Sequence, residues 1–498
     1  MVSNTTVRYP GMVLQPGFDF VWAEKPKEMH SLGFTRNVWI LIMVGIGTLL
    51  SSMTNSVTNT VLPVIAQKLH LTIGLASWIN LIYLLILILL LLPAGRLSDL
   101  IGRRALMTLG YLIFGLASSG AALSHSLLWL LVARGVTAVA GALLLAVGPA
   151  ILTTSFPGDQ RGRALGWQAL MTYFGLAVGP IFGGWLAQAA GWPAIFWMAA
   201  PIAGSGMVLA IAVVPKAAAE HSRAFDTVGS VTFMAAMVAV TVLMNPSAYH
   251  NHQLAAVIIL GLGFLLAGLL FIRRQQHFPE PLINLGLFRA RNYLYGTVGA
   301  MINYLCFFVA LFLLPFYLSR ALGWSVGRIG LVLTIMPLLM MVLAPWAGSA
   351  SDRWGSRELS TVGMLANAIG LALFALAAVL PNLGLAWLIA GLVLMGAGTG
   401  LFAAPNNAAI MKAAPLSMQG VASGTLATAR YVGMVAGTTL GSSVFHILMQ
   451  INRSAAHPFV AAYLWVMAIG AAFGILGCFV TLSMEGPKAM RTNKSGLL

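Results

Sequence analysis

The chain has 498 residues, of which 59% are hydrophobic and only 8% charged. Soluble domains carry about 25% charged residues, so a string of soluble domains is excluded and an all-α polytopic membrane protein is expected. The formal net charge of +16 would suit nucleic acid, but the basic residues fall in alternate loops, which orients a membrane chain and argues against a nucleic-acid partner.

Residues 1–36 mix Pro, Gly, acids and bases without a signal-peptide core, and are expected to form an uncleaved cytoplasmic tail. Apolar runs near 38–66, 76–95, 104–123, 127–153, 165–188 and 193–214 predict a six-helix bundle over 37–214. Residues 215–292 hold a linker and two further spans, near 228–246 and 254–272. Six more, near 293–318, 327–347, 359–380, 384–405, 420–447 and 460–482, form a second bundle over 293–482, and 483–498 is a basic tail. The 53 glycines suit close helix packing in lipid.

Fourteen spans put both termini on one side. Loops on that side hold Arg103, Arg104, Arg161, Arg163, Lys216, Arg223, Arg273, Arg274, Arg289, Arg291, Arg353, Arg357 and Lys412. The other side offers only Lys68, Arg320, Arg328 and Arg453. The positive-inside rule makes the rich side cytoplasmic, in the inner or plasma membrane of the cell. Cys306 and Cys478 both fall in apolar spans, which argues for packing residues rather than a disulfide or metal site; no metal and no cofactor are expected.

Two series of residues repeat. Gly95-Arg-Leu-Ser-Asp99-Leu-Ile-Gly102-Arg103-Arg104 returns as Gly348-Ser-Ala-Ser-Asp352-Arg-Trp-Gly355-Ser-Arg357, each after a long apolar run. Gly162, Gly166, Tyr173, Gly175, Gly179 and Gly183 align without a gap to Gly420, Gly424, Tyr431, Gly433, Gly437 and Gly441. The two bundles therefore read as copies, with the central pair inserted between them, and such repeats on membrane helices point to a transporter.

These motifs resemble the major facilitator superfamily, specifically its fourteen-helix drug:proton antiporter branch. Gly95–Arg104 is similar to that superfamily's loop between helices 2 and 3, and Gly175, Gly179, Pro180, Gly183 and Gly184 to the antiporter motif of helix 5. Trp78, Tyr83, Leu62-Pro63 and Phe225-Asp226 also fit. The resemblance implies two six-helix halves that alternate access to a site between them, export of amphiphilic drugs or metabolites, proton coupling and a monomer in the bilayer. It also implies that the repeated cassette (Gly95, Asp99, Gly102, Arg103, Arg104; Gly348, Asp352, Gly355, Arg357) holds one conformation and releases in the other.

The glycines of the cassette would permit a tight turn, Asp99 could accept hydrogen bonds from a helix N-terminus, and the arginines would anchor one membrane face. The helix-5 glycines share one face, loosened by Pro180, which would suit a seam between rocking halves. On the first span Thr48, Ser52, Asn55, Ser56 and Asn59 form a polar stripe; lining a central cavity is preferred over interhelical hydrogen bonding. Arg134 and Arg430 are guanidinium groups inside spans, costly unless paired or hydrated, and so candidates for the cavity. Arg134 matches the family's helix-4 arginine. Tyr83, Gln168, Asn303, Tyr304 and Asn367 complete the cavity set, although for Gln168, Asn303, Tyr304 and Asn367 a buried interhelical bond is the weightier reading of each residue alone, while His446 reads as packing.

None of the eleven acids falls clearly inside a span. The family's membrane-embedded acid of helix 1 would stand at Thr54, so a fixed negative charge for a cation is missing. Neutral, zwitterionic or anionic amphiphiles are the expected substrates, and Asp226 or an arginine-modulated tyrosine remains for coupling. Import or facilitated passage of an organic anion or lipid-like metabolite is the alternative. An intramembrane enzyme would need clustered acids, histidines or a nucleophile–base pair, and a receptor would be expected to carry a soluble output domain; the chain offers neither. A Walker-type loop is also absent.

Overall fold

The computed structural model describes residues 12–14, 20–22, 27–157, 160–215, 226–245, 253–278, 281–380, 384–415, 418–451 and 456–486. Most of the expected N-terminal tail, the linker bearing Lys216, Glu220 and Arg223, and the basic tail from residue 487 lie outside the described residues.

Nearly all of the rest is helix. A short hairpin pairs β1 (Met12–Leu14) with β2 (Phe20–Trp22). The first six spans are α1 (Lys27–Lys68), α2 (Ile73–Ile101), α3 (Arg103–Ala122), α4 (Leu127–Ser155), α5 (Arg161–Ala190) and α6 (Ala194–Val213). The insertion is α7 (Thr227–Leu243) and α8 (Gln253–His277). Then follow α9 (Arg291–Arg320), α10 (Val326–Leu333), α11 (Ile335–Trp354), α12 (Ser356–Val379), α13 (Gly384–Ala413), α14 (Gln419–Ile451) and α15 (Pro458–Leu482). With α10 and α11 taken together as Val326–Trp354, 13 helices among the described residues are long and apolar enough to cross a membrane. The fourteenth predicted span, α7, has 17 residues, or about 25 Å of helix.

Local chemistry explains most boundaries. Thr72, Ser126 and Ser325 cap α2, α4 and α10 by accepting from backbone N–H groups one turn on. Between α10 and α11 the ladder is interrupted near Thr334, because Pro337 cannot donate to the carbonyl one turn back. The cassettes depart from expectation. Gly95 and Gly348 lie within α2 and α11, and only Gly102 and Gly355 make the turns, with φ of 97° and 96°. A single left-handed glycine suffices to stop one helix and start the next.

The duplication is visible in the packing. In the first bundle α1 meets α5, α2 and α3 meet α4, and α3 meets α6; in the second α9 meets α14, α11 and α12 meet α13, and α12 meets α15. Between bundles the contacts are also twofold in pattern: α1 with α9, α5 with α10 and α11, and α2 with α14. The insertion breaks this symmetry, since α7 packs on α2 and α14 while α8 packs on α7 and leaves Leu254, Ile259 and Leu262 exposed.

Candidate functional site

A cavity of about 830 Å³ lies between the bundles, at the end where α1 and α5 begin. Its walls come from α1 (Val38, Leu41), α5 (Trp167, Leu170, Tyr173), α11 (Ala344, Pro345) and α13 (Ala404, Asn407). Gln160 and Arg163 stand at its outer part, near the start of α5. The volume lies within the roughly 300–1,000 Å³ range of small-molecule pockets. Acids with described side chains lie elsewhere, and none lines this space.

The opposite end is closed by α5 against α10. A Cβ on Gly330 would run into the Pro180 carbonyl, so these backbones touch. Gly327 N donates to Gln188 Oε1 at 3.2 Å, and Thr334 Oγ1 donates to Ala177 O at 3.2 Å. Among the helix-5 glycines, only Gly184 and the Pro180 carbonyl belong to this seam between halves. Gly175, Gly179 and Gly183 instead admit α1 at Leu49, Ser56 and Val57, inside one half. The repeat does the same: Gly433 and Gly437 admit α9 at Met301 and Leu305.

Behind the wall residue Asn407 stands a cation set among aromatic rings. Arg430 Nη2 donates to Asn407 Oδ1, and its guanidinium carbon lies 5.7 Å from the ring centroid of Tyr304. Tyr173 and Tyr431, equivalent positions of the two halves, each interact electrostatically with Arg430 and with Tyr304. Tyr431 also interacts electrostatically with Tyr83. Arg134 lies wholly buried within the first half, 4.4 Å from the Tyr83 ring centroid, with Nε donating to Ile79 O at 3.3 Å. Its Nη1 and Nη2 have no partner. A guanidinium is tolerated there because the ring face is electron-rich and the ion is weakly hydrated to begin with.

Most of the expected cavity residues are elsewhere. Asn80 Nδ2 donates to Asn59 Oδ1 at 2.7 Å, and Asn59 Nδ2 to Asn55 Oδ1 at 2.9 Å. Ser56 Oγ donates to Leu176 O, and Gln168 Nε2 to Thr48 Oγ1. The polar stripe of α1 is thus turned mainly into contacts with α2 and α5 rather than into the cavity; Asn55, Asn59 and Gln168 are corrected accordingly. Tyr83 donates to Ser51 O inside the bundle, Asn367 bonds Thr399, and Asn303 is fully buried with neither amide atom partnered. None of the expected set is among the wall residues; Arg430 stands behind the wall residue Asn407, and Tyr304 beside Arg430. Tyr173 and Asn407 were missed as wall residues, although Tyr173 stands in the repeated series.

The cassettes keep their described contacts within their own half. Arg103 Nη1 donates to Ala150 O and Thr154 Oγ1 near the end of α4, and Arg104 Nη2 to Ile211 O near the end of α6. Cations suit helix C-termini. Lys412 pairs with Asp352 at 3.0 Å in the open, and Arg357 lies against Gly486. The Asp99 side chain lies outside the described residues. Asp226 is buried: it caps α7 through Gly229 N, and accepts from Arg274 Nε at 2.9 Å and Gln275 Nε2 at 3.1 Å.

Comparison with known proteins accords with this architecture. The Major Facilitator Superfamily profile matches residues 44–438 and 296–496. A riboflavin transporter, RibZ, of Clostridioides difficile (strain 630) is 32% identical over 467 residues, covering 92% of this chain and 99% of its own. The tetracenomycin C resistance and export protein of Streptomyces glaucescens is 30% identical, covering 82% and 75%. Among solved structures, a bacterial homologue of the human lysosomal transporter Spinster, in an inward-facing and unoccupied conformation, aligns with a TM-score of 0.63 at 14% identity, covering 91% of this chain and 99% of that one. The chain belongs to the major facilitator superfamily and is a multi-pass membrane transporter, not an enzyme.

Proposed function

We propose that this protein is a secondary exporter of flat, amphiphilic compounds that are neutral, zwitterionic or anionic. It works as a monomer by alternating access, its halves 37–214 and 293–482 rocking about the cavity. The observation that carries this reading is the chemistry of that cavity: apolar walls that include Tyr173 and Asn407, with Arg430 behind Asn407 and Tyr304 beside it, and no acid among the lining residues. An organic cation would meet an unpaired guanidinium and no counter-charge, whereas a carbonyl, enolate or carboxylate would complete it. Riboflavin, named in one relative, is a flat uncharged ring system rich in carbonyl acceptors and suits the same wall.

The basic end, where the cavity opens, is the cytoplasmic one, so both termini face the cytoplasm of a cell-membrane protein and this conformation faces inward. Proton influx drives export, as in the drug:proton antiporter branch.

Purified protein in liposomes tests this. Riboflavin, an anionic aromatic dye and a quaternary ammonium dye are compared with and without an imposed pH gradient. Accumulation of the first two driven by the gradient, with the cation excluded, is expected. Preference for the cation would overturn the substrate class. Indifference to the gradient would replace antiport by facilitated passage.

A further inference from the structure

We propose that the inserted pair creates a second binding site, separate from the transport cavity, for a small aromatic compound bearing one hydrogen-bond acceptor and arriving dissolved in the bilayer. A pocket of about 190 Å³ lies where three bodies meet. The first half supplies Leu85 and Ile88 of α2, the second Val435 and Thr439 of α14, and the insertion Val240 of α7 and Phe264 of α8. An apolar cavity of about 150 Å³ suffices for benzene, so this one suits a substituted benzene.

One wall is polar without being satisfied. Thr439 is 1% exposed and its hydroxyl has no hydrogen-bond partner. Buried hydroxyls normally find one, and an acceptor on an occupant would supply it. No charged residue lines the pocket, which excludes an ionic ligand. Access from lipid follows from α8, whose Leu262, Leu265 and Leu266 face outward.

The site also reports on conformation. Its α2 and α14 walls belong to opposite halves, and α7 ties them together. Ser443 Oγ donates to the carbonyl of Met244, itself a wall residue, at 2.6 Å, while Asn245 Nδ2 donates to Ser77 Oγ at 3.4 Å. An occupant therefore binds the state in which α2 and α14 are held together, and stabilises that state by its preference for it.

Photolabelling of the protein in liposomes with 3-phenyl-3-(trifluoromethyl)diazirine tests this, with butyrophenone and butylbenzene as competitors. Label is expected within 237–244 and 432–439, displaced several-fold more effectively by the ketone than by the hydrocarbon. Thr439→Val should abolish that difference. Val435→Phe should remove the label, while label on the outward side chains of α8 persists and reports a folded protein. Butyrophenone should also raise the maleimide reactivity of Leu170→Cys, a cavity-wall position. Label confined to the outer face of α8, label unaffected by Val435→Phe, equal competition by the two compounds, or unchanged Leu170→Cys reactivity would each overturn the proposal. None of these readouts needs a transported substrate, so they stand or fall apart from the export reading.

Discussion

Gly184 on α5 and Gly330 on α10 face each other across the two halves so closely that a Cβ on either would stand 3.3 Å from the other's Cα. On Gly184 it would also lie 2.6 Å from the Val326 carbonyl. Backbones meet here because neither side carries a side chain, and van der Waals packing in lipid rewards such approach. Gly330→Leu should therefore prevent closure of this end without disturbing either bundle. Transport is expected to fall at least tenfold while the protein remains folded, and a cysteine at Leu170 should become less reactive as the other conformation fills. Wild-type transport by Gly330→Leu would show that this contact does not need to close.

How much of this was legible in the sequence differs by feature. The repeated glycines foretold the duplicated bundles, and each copy does pack as its partner does, because a missing side chain has the same consequence in both halves. The amide stripe of α1 misled, since periodicity shows which residues share a face but not what stands opposite. Asn80, on another helix, decides the matter by donating to Asn59. The wall residue Asn407 gave no signal, because it falls just past the apolar run near 384–405, while α13 continues to Ala413. The length of α2 was underestimated because Gly95 resembles a breaker, yet a helix tolerates an isolated glycine at about 1 kcal/mol.

That stripe leads to a prediction. Asn80→Ala leaves Asn59 Oδ1 without its interhelical donor, at a cost of about 0.6–1.7 kcal/mol on the scale measured for such bonds in membranes. Thermal unfolding in detergent should shift downward, while the relative rates for different substrates stay as in the wild type. A changed substrate preference would return Asn59 to the cavity.

Asp226 holds the insertion to itself. It is 2% exposed and joins the start of α7 to the end of α8 through Arg274 and Gln275. Asp226→Asn keeps Oδ1 for the cap and for Arg274 Nε but loses the charge, and sets an amide NH2 against Gln275 Nε2 where Oδ2 had accepted. A melting temperature lower by a few degrees is expected, with the pH dependence of transport unaltered. A shifted pH profile would instead make Asp226 part of coupling.

On the proposed reading, selectivity turns on Arg430. Its guanidinium is fixed by Asn407 and bordered by Tyr304. A hydrogen bond to a charged group contributes about 1.5–3 kcal/mol, so Arg430→Ala should raise the KM for an anionic or carbonyl-rich substrate by about tenfold or more. Arg430→Lys keeps the charge but not the planar fork, and should recover only part of the loss. Asn407→Asp works in the other direction, because a carboxylate there neutralises Arg430 and leaves Arg163, at the outer part, as the cation of the cavity. Anions should then lose their advantage over neutral compounds of the same shape. Measured KM values for one anionic and one neutral ring compound across the three variants check the assignment, and parallel changes for both compounds would reduce Arg430 to a packing role.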